Sequence, residues 1–190
     1  MKKSIAVLAA VIFVMASTVN SHAAAFHEKM EGGGMPCMEQ VTQHKYYSVN
    51  GATLDFDMQD YIYDMLSLYD MQWYYPTFLC QVYQESRYDQ NLKNYHADGT
   101  VDVGLCQLKD KYHAELISLA GLGPRADVYS NPYDNLTCGM ALMHRNWTEC
   151  WDINTAISAY FTGNVNQYDP TYVQDVRKWE YTLMEVDDGR

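Results

Sequence analysis

The chain has 190 residues, enough for one domain with a hydrophobic core, and its 48% apolar content excludes wholesale disorder. Its formal net charge is −11. Binding to phosphate backbones needs clustered Lys and Arg, whereas the 13 basic residues here are dispersed. The composition therefore predicts an acidic globular protein and argues against nucleic acid as a partner.

The first 25 residues have the order of a secretory signal peptide: Lys2 and Lys3, an apolar run over 5–16, and small residues at 23–25. An uncleaved membrane anchor is the alternative, but this run is shorter than the ~20 residues that span a bilayer. We expect export to the periplasm, cell wall or extracellular space, with a mature chain from about Phe26. That mature chain has 11 basic and 24 acidic residues, a net charge of −13.

Residues 26–52 contain a Gly triplet, a Pro and no sustained periodicity, which is typical of a linker or loosely docked arm. The folded domain is expected over 53–190. All five cysteines lie in the mature chain, and the odd number leaves at least one thiol unpaired or paired with another chain. Cys138 and Cys150 are candidates for a bridge from a helix to the loop after it. The connectivity stays open, and the spacings match no zinc pattern.

From Leu54 the apolar residues recur every three or four positions, the period of an amphipathic helix. Helices are predicted in LDFDMQDYIYDMLSLYDMQW, from Pro76 to about Glu85, from Lys111 to Ala120, in NPYDNLTCGMALMHRNW, in INTAISAYF and in DPTYVQDVRKWEYTLMEV. Asp98-Gly99 marks a turn, and Gly163 closes the fifth helix. No segment predicts a long strand, so the expected fold is mostly α in a single domain.

Glu85 is expected at or near the end of the second helix, beside Tyr83 and Tyr88. Cleavage of a glycosidic bond needs a carboxylic acid that stays protonated near neutral pH. Partial burial supplies such an acid, because it disfavours the charged form. One glutamate in this position is weak evidence alone, since most glutamates are solvated surface residues.

Five motifs in order add to that evidence: QES, DVGLCQL, NPYDNLTCGMAL, AISAYFTG and YVQDV. Together they resemble the successive motifs of the soluble lytic transglycosylase family, relatives of goose-type lysozyme in the lysozyme-like superfamily. The resemblance covers roughly Leu54 to Trp179 and leaves the arm unexplained. Each motif alone is common, whereas five motifs in this order and at family-like spacings are a specific signal for the family.

The resemblance implies a lysozyme-like fold and a peptidoglycan lytic transglycosylase. Glu85 matches the family's acid and base, which protonates the leaving oxygen of the β-1,4 bond between N-acetylmuramic acid and N-acetylglucosamine. The 6-hydroxyl of the muramic acid then attacks the anomeric carbon and gives a 1,6-anhydro sugar. Ser86 and Gln107 match polar residues that hold the sugar, and Tyr160 matches the tyrosine whose hydroxyl positions the glutamate. No cofactor and no metal are implied.

Four positions depart from the family pattern. Phe161 stands where the family has Asn after the tyrosine, so a polar group near the site is missing. This change is the only reason to consider a catalytically inactive, glycan-binding relative as an alternative. Cys106 replaces the usual Met, as a small apolar substitute. Leu108-Lys109 stands where Ile-Asn is frequent. None of these changes touches Glu85.

Asp102 raises the alternative of a second enzymatic activity. Chicken-type lysozymes also have a Glu-Ser pair followed by an Asp before a similar Gly-Gln stretch, and there the aspartate is the second carboxylate. A muramidase that hydrolyses the same bond with Asp102 assisting is thus the alternative. A turn residue that caps main-chain N–H groups is the other interpretation of Asp102, and we favour it slightly.

Aromatic faces suit sugar rings, and five tyrosines are candidates for a glycan groove, although most tyrosines are packing residues: Tyr74, Tyr75, Tyr88, Tyr95 and Tyr133. The expected partner is a peptidoglycan strand. The biological setting stays open between wall turnover, wall opening for a secretion or conjugation machine, and a phage-borne function.

Overall fold

A computed structural model describes residues 45–189, all of which belong to one compact unit. The helices are α1 (Phe56–Leu68), α2 (Tyr75–Ser86), α3 (His113–Leu119), α4 (Pro132–Cys150), α5 (Ile153–Thr162) and α6 (Pro170–Glu180). Single 3₁₀ turns at Gln72–Tyr74 and Asp110–Tyr112 precede α2 and α3. The prediction of a mostly α fold is confirmed, and each predicted helix is present.

The helix ends follow from local sequence. Four helices begin after an Asp or Asn whose side chain accepts main-chain N–H bonds: Asp55, Asn131, Asp152 and Asp169. Proline in the first turn of α2, α4 and α6 lacks the N–H that would be unpaired there. Gly163 ends α5 in the left-handed conformation, with φ of 73°.

Six short strands form two three-stranded antiparallel sheets. The strands are β1 (Tyr46–Val49), β2 (Ala52–Thr53), β3 (Lys93–Tyr95), β4 (Val101–Val103), β5 (Leu108–Lys109) and β6 (Leu183–Val186). The first sheet has the order β2-β1-β6 and joins the two ends of the domain, with Tyr46 opposite Val186. The second has the order β3-β4-β5.

The first sheet corrects the predicted arm. Residues 46–53 belong to the folded domain, because Val49 lies in the core and the β1 main chain pairs with β2 and β6. These strands are too short for the alternation of apolar and polar residues to reveal them. The rest of the predicted arm, the predicted signal peptide and Cys37 lie outside the described residues.

The predicted bridge between Cys138 and Cys150 is wrong. Both residues lie in α4, which continues through the segment expected to be a loop, and twelve residues of helix place them about 18 Å apart. A disulfide needs Cα atoms within about 7 Å. The four cysteines of the described part of the chain are free thiols. None of the helices within 45–189 combines the length and apolar character needed to cross a membrane.

A buried asparagine on α4 holds the Gly-Leu-Cys-Gln turn between β4 and β5. Asn135 Oδ1 accepts the Cys106 N–H at 2.8 Å, and its Nδ2 donates to the carbonyls of Val103 and Val128. Gly104 has φ of 76°, and a Cβ there would lie 2.5 Å from Asn135 Nδ2. Glycine is therefore required at 104 both for its conformation and for its lack of a side chain.

A second glycine lets the same turn approach α4. A Cβ on Gly139 would lie 2.5 Å from Cys106 Sγ, so α4 and the turn pack without an intervening side chain. The small Cys106 side chain, which is fully buried, fits where the family's larger Met would stand.

Replacing Asn135 by Leu should destabilise the protein by roughly 3 kcal/mol, because three buried main-chain groups lose their partner. The melting temperature should fall by about 10 °C in differential scanning calorimetry. Exchange of the exposed Asn91 for Leu is the matched control and should change it by less than about 2 °C. Equal melting temperatures for the two variants would contradict the role of Asn135.

Candidate active site

Glu85 lies in the last turn of α2, where the chain turns away from the helix. Arg87 ends the helix in the left-handed conformation with φ of 54°, and Tyr88 follows with φ of 67°. Two consecutive non-glycine residues in this region are uncommon, and such backbone strain concentrates at functional sites. Glu85 itself stays partly accessible to solvent while Ser86 beside it is buried.

Helix α6 packs against this end of α2 through hydrogen bonds and aromatic contacts. The Tyr172 hydroxyl donates a short hydrogen bond to Glu85 Oε1. Trp179 Nε1 donates to Gln84 Oε1 at 2.8 Å. The Arg87 guanidinium lies 4.6 Å from the centroid of the Tyr83 ring and 4.7 Å from that of Trp179, so it joins the two helices.

The packing makes Glu85 a weak acid. Burial raises the pKa of its carboxyl, the Tyr172 hydrogen bond lowers it and the negative charge of Asp102 raises it, and together they move the pKa from 4.5 to about 7. Burial is the largest of these effects, so the carboxyl is about half protonated at neutral pH. This is the state that a general acid and base needs.

Phe161 covers the tyrosine that contacts Glu85. Its ring stacks on the Tyr172 ring with centroids 4.8 Å apart and planes 13° from parallel, and 60% of Phe161 is exposed. The departure from Asn therefore leaves the Glu85–Tyr172 contact in place. It removes a polar group and adds an aromatic face beside the carboxyl.

Asp102, in β4, is paired with a histidine side chain through one of its carboxylate oxygens. Its Oδ2 lies 2.7 Å from His96 Nε2 and forms an ion pair when that histidine is protonated. Its Oδ1 is buried and has no hydrogen-bond partner within residues 45–189. The preferred turn-cap interpretation is wrong, because Asp102 lies within a strand and its bonded oxygen is paired with a side chain.

Gln107 closes the turn after β4 with its side chain. Its Nε2 donates to the carbonyls of Gly104 and Leu92, and its Oε1 accepts from Asn94 Nδ2 at 2.6 Å. The residue has φ of 45°, a left-handed conformation stabilised by these bonds. Gln107 thus joins β3 to the turn and remains partly exposed.

Two predicted sugar-binding or positioning residues have other contacts. Ser86 is buried, and its hydroxyl donates to the Val82 carbonyl within α2, because the helix continues one residue past Glu85. Tyr160 donates its hydroxyl to the Cys106 carbonyl at 2.8 Å rather than to Glu85. Tyr160 therefore supports the turn after β4, and the tyrosine bonded to Glu85 is Tyr172.

The structure separates the five tyrosines that were predicted as candidates for a glycan groove. Tyr74 and Tyr75 are core residues, and the Tyr88 hydroxyl donates to the Leu79 carbonyl. Tyr95 and Tyr133 are exposed. The surface depression lined by Leu122–Ala126 and Asp134 contains none of the site residues.

Sequence reasoning identified Glu85 but not its partner. In the sequence, Tyr172 belongs to the YVQDV motif and to the apolar side of the last predicted helix, and neither pattern gives its hydroxyl a role. The available signal was that this tyrosine lies at the start of a helix whose apolar face also includes Val173 and Val176, so its ring had to point inward. That pattern places Tyr172 in the core but does not say which residue its hydroxyl reaches.

Replacing Glu85 by Gln should stabilise the protein at alkaline pH. Between pH 4.5 and about 7 the native state keeps a proton that the unfolded chain releases, so wild-type stability falls as pH rises through this window. The amide of the variant does not titrate, so its stability does not fall in this window. Above pH 7 the variant should be more stable by about 2 kcal/mol, and below pH 4.5 the two should converge.

Urea unfolding at pH 4, 6 and 8 measures this difference. The exposed Glu149→Gln change is the matched control and should show no such divergence between pH 4 and pH 8. A constant offset between Glu85→Gln and the wild type at all three pH values would show that the Glu85 carboxyl is not buried as a weak acid.

The part of the chain that contains these residues matches a known protein family. A family model described as "Transglycosylase SLT domain" matches residues 71–181, more than half of the chain, from the turn before α2 to the end of α6. No curated protein and no solved structure gave a significant match. The matched range contains Glu85, Tyr172 and the turn that Gln107 closes.

Proposed function

Because the chain belongs to the transglycosylase SLT domain family, we propose that it is exported and cleaves the β-1,4 bond between N-acetylmuramic acid and N-acetylglucosamine of peptidoglycan, with 1,6-anhydro ends as product. The observation that carries the proposal is the partly accessible Glu85 carboxyl, which accepts a hydrogen bond from the Tyr172 hydroxyl and has a pKa of about 7. One carboxyl that is a fair acid and a fair base at neutral pH suits a reaction in which it serves in both roles.

In the first step the Glu85 carboxyl gives its proton to the glycosidic oxygen as the bond from that oxygen to the anomeric carbon breaks. In the second, the 6-hydroxyl of the muramic acid bonds to the anomeric carbon and gives its proton to the Glu85 carboxylate. No water is consumed, and Glu85 returns to its starting state. The Tyr172 hydroxyl donates to the carboxylate between the two steps.

The geometry of Asp102 favours this route over hydrolysis. A retaining hydrolase uses two carboxylates flanking the scissile bond, one of which attacks or stabilises the anomeric carbon. Asp102 has one oxygen paired with His96 and the other buried, which supports a role other than attack on the anomeric carbon. Its remaining influence on Glu85 is electrostatic, through a negative charge that raises the pKa of the acid.

Digestion of purified peptidoglycan followed by mass spectrometry of the soluble fragments tests the proposal. The wild type should release fragments lighter by one water than hydrolytic ones. Glu85→Gln should reduce their release by roughly 1,000-fold, because it removes the acid and base. Asp102→Asn should keep the same product and act within a few-fold of wild type.

Reducing-end fragments, together with a loss of about 100-fold or more in Asp102→Asn, would instead make the protein a muramidase. Binding to intact sacculi without any released fragment would make it a glycan-binding relative.

The pH dependence follows from the same carboxyl. The first step needs protonated Glu85, so kcat/KM should fall about tenfold per pH unit above pH 7, as the acid form is lost. Clearing of sacculus turbidity between pH 5 and 9 measures this limb. A rate that stays constant from pH 7 to pH 9 would be inconsistent with Glu85 as the acid.

A further inference from the structure

A buried amide lies one helical turn before Glu85. Gln81 and Glu85 are four residues apart in α2 and so share a face of the helix. Gln81 is 1% exposed, which is rare for glutamine. Its Oε1 accepts a hydrogen bond from the Tyr74 hydroxyl at 2.7 Å, inside the core. That bond fixes which end of the amide faces Tyr74.

The opposite end of the amide is unpaired. Gln81 Nε2 is buried without a hydrogen-bond partner in the part of the chain that the structure describes. Buried donors are nearly always paired, so this atom needs an explanation. Tyr172 provides one: burial and the charge of Glu85 raise the pKa of its hydroxyl, whereas the Gln81 amide lowers it, as a nearby donor does.

We propose that Gln81 is a positioning residue for the reaction: its Nε2 donates to the Tyr172 oxygen and thereby commits the one proton of that hydroxyl to Glu85. The four side chains then form a relay in which Tyr74 orients Gln81, Gln81 orients Tyr172, and Tyr172 donates to Glu85. The proposal rests on the proposed role of Glu85.

The relay has a chemical consequence because a tyrosine hydroxyl has one proton and two lone pairs. With Gln81 donating to a lone pair, the proton points to Glu85 and stabilises the carboxylate that forms as Glu85 gives up its own proton. Without Gln81, the Tyr172 hydroxyl can rotate and accept a bond from protonated Glu85. Loss of Gln81 should therefore raise the pKa of Glu85 and slow the proton transfer.

The test is a ¹³C NMR titration of the Glu85 carboxyl in the full chain, assigned by its absence in Glu85→Gln. Gln81→Met keeps the length of the side chain and removes the amide. We expect the titration midpoint to move upward by about half a pH unit or more, the size expected for one hydrogen bond. The alkaline limb of sacculus clearing should move by the same amount, with a lower kcat and little change in KM.

A double-mutant comparison separates the relay from a simple change in burial. Tyr172→Phe should shift the midpoint upward, and adding Gln81→Met to it should give no further shift, because Gln81 acts through the hydroxyl. Additive shifts, or an unchanged midpoint in Gln81→Met, would overturn the proposal. If Gln81→Met does not fold, Tyr74→Phe should give a smaller upward shift, and no shift there would equally overturn it.

The NMR midpoint is measured without turnover. A shift in Gln81→Met in a protein that releases no peptidoglycan fragment would retain the relay and reject the proposed function. Fragment release together with an unchanged midpoint in Gln81→Met would reject the relay and retain the proposed function.

Discussion

The contact between Glu85 and Tyr172 combines two opposing effects on one carboxyl. Burial between α2 and α6 disfavours the carboxylate, whereas the tyrosine hydroxyl donates a hydrogen bond that favours it. With burial alone, the pKa of the carboxyl would be too high for it to act as a base in the second step. With the hydrogen bond alone, the pKa would be too low for the carboxyl to hold a proton at pH 7. The balance near neutrality needs both, and so it needs α6 in a defined position against α2.

Much of the remaining structure fixes that position. The Arg87 guanidinium lies against the rings of Tyr83 and Trp179 and joins the two helices below the carboxyl. Phe161 stacks on Tyr172 from α5. The β1–β6 pairing ties the chain that follows α6 to the start of the domain, which anchors α6 from its other end. The Arg87–Trp179 contact and the β1–β6 pairing join segments distant in sequence, so the site forms only when the whole domain has folded.

The helices and Glu85 could be predicted from the sequence, because helical periodicity and end signals are local and QES is a recognisable motif. The partners of Glu85 could not. Tyr160 and Tyr172 both lie on helices that pack toward the site, and only the relative placement of α5 and α6 decides which hydroxyl reaches the carboxyl. Asp102 likewise stood at a sensible spacing, yet its alignment beside His96 depends on the pairing of β3 with β4.

The hydrogen bonding of buried polar atoms differs between the scaffold and the surroundings of Glu85. Gln59 and Asn135 are buried amides that are bonded at both ends, and they hold the scaffold. Within residues 45–189, the two buried side-chain atoms without a partner are Gln81 Nε2 and Asp102 Oδ1. Gln81 shares its helix face with Glu85, and the charge of Asp102 acts on the Glu85 carboxyl. The two departures from full pairing both act on one carboxyl, Gln81 through the bond to Tyr172 proposed above and Asp102 through its charge. Such departures are expected where a site must hold a carboxyl in two protonation states during one reaction.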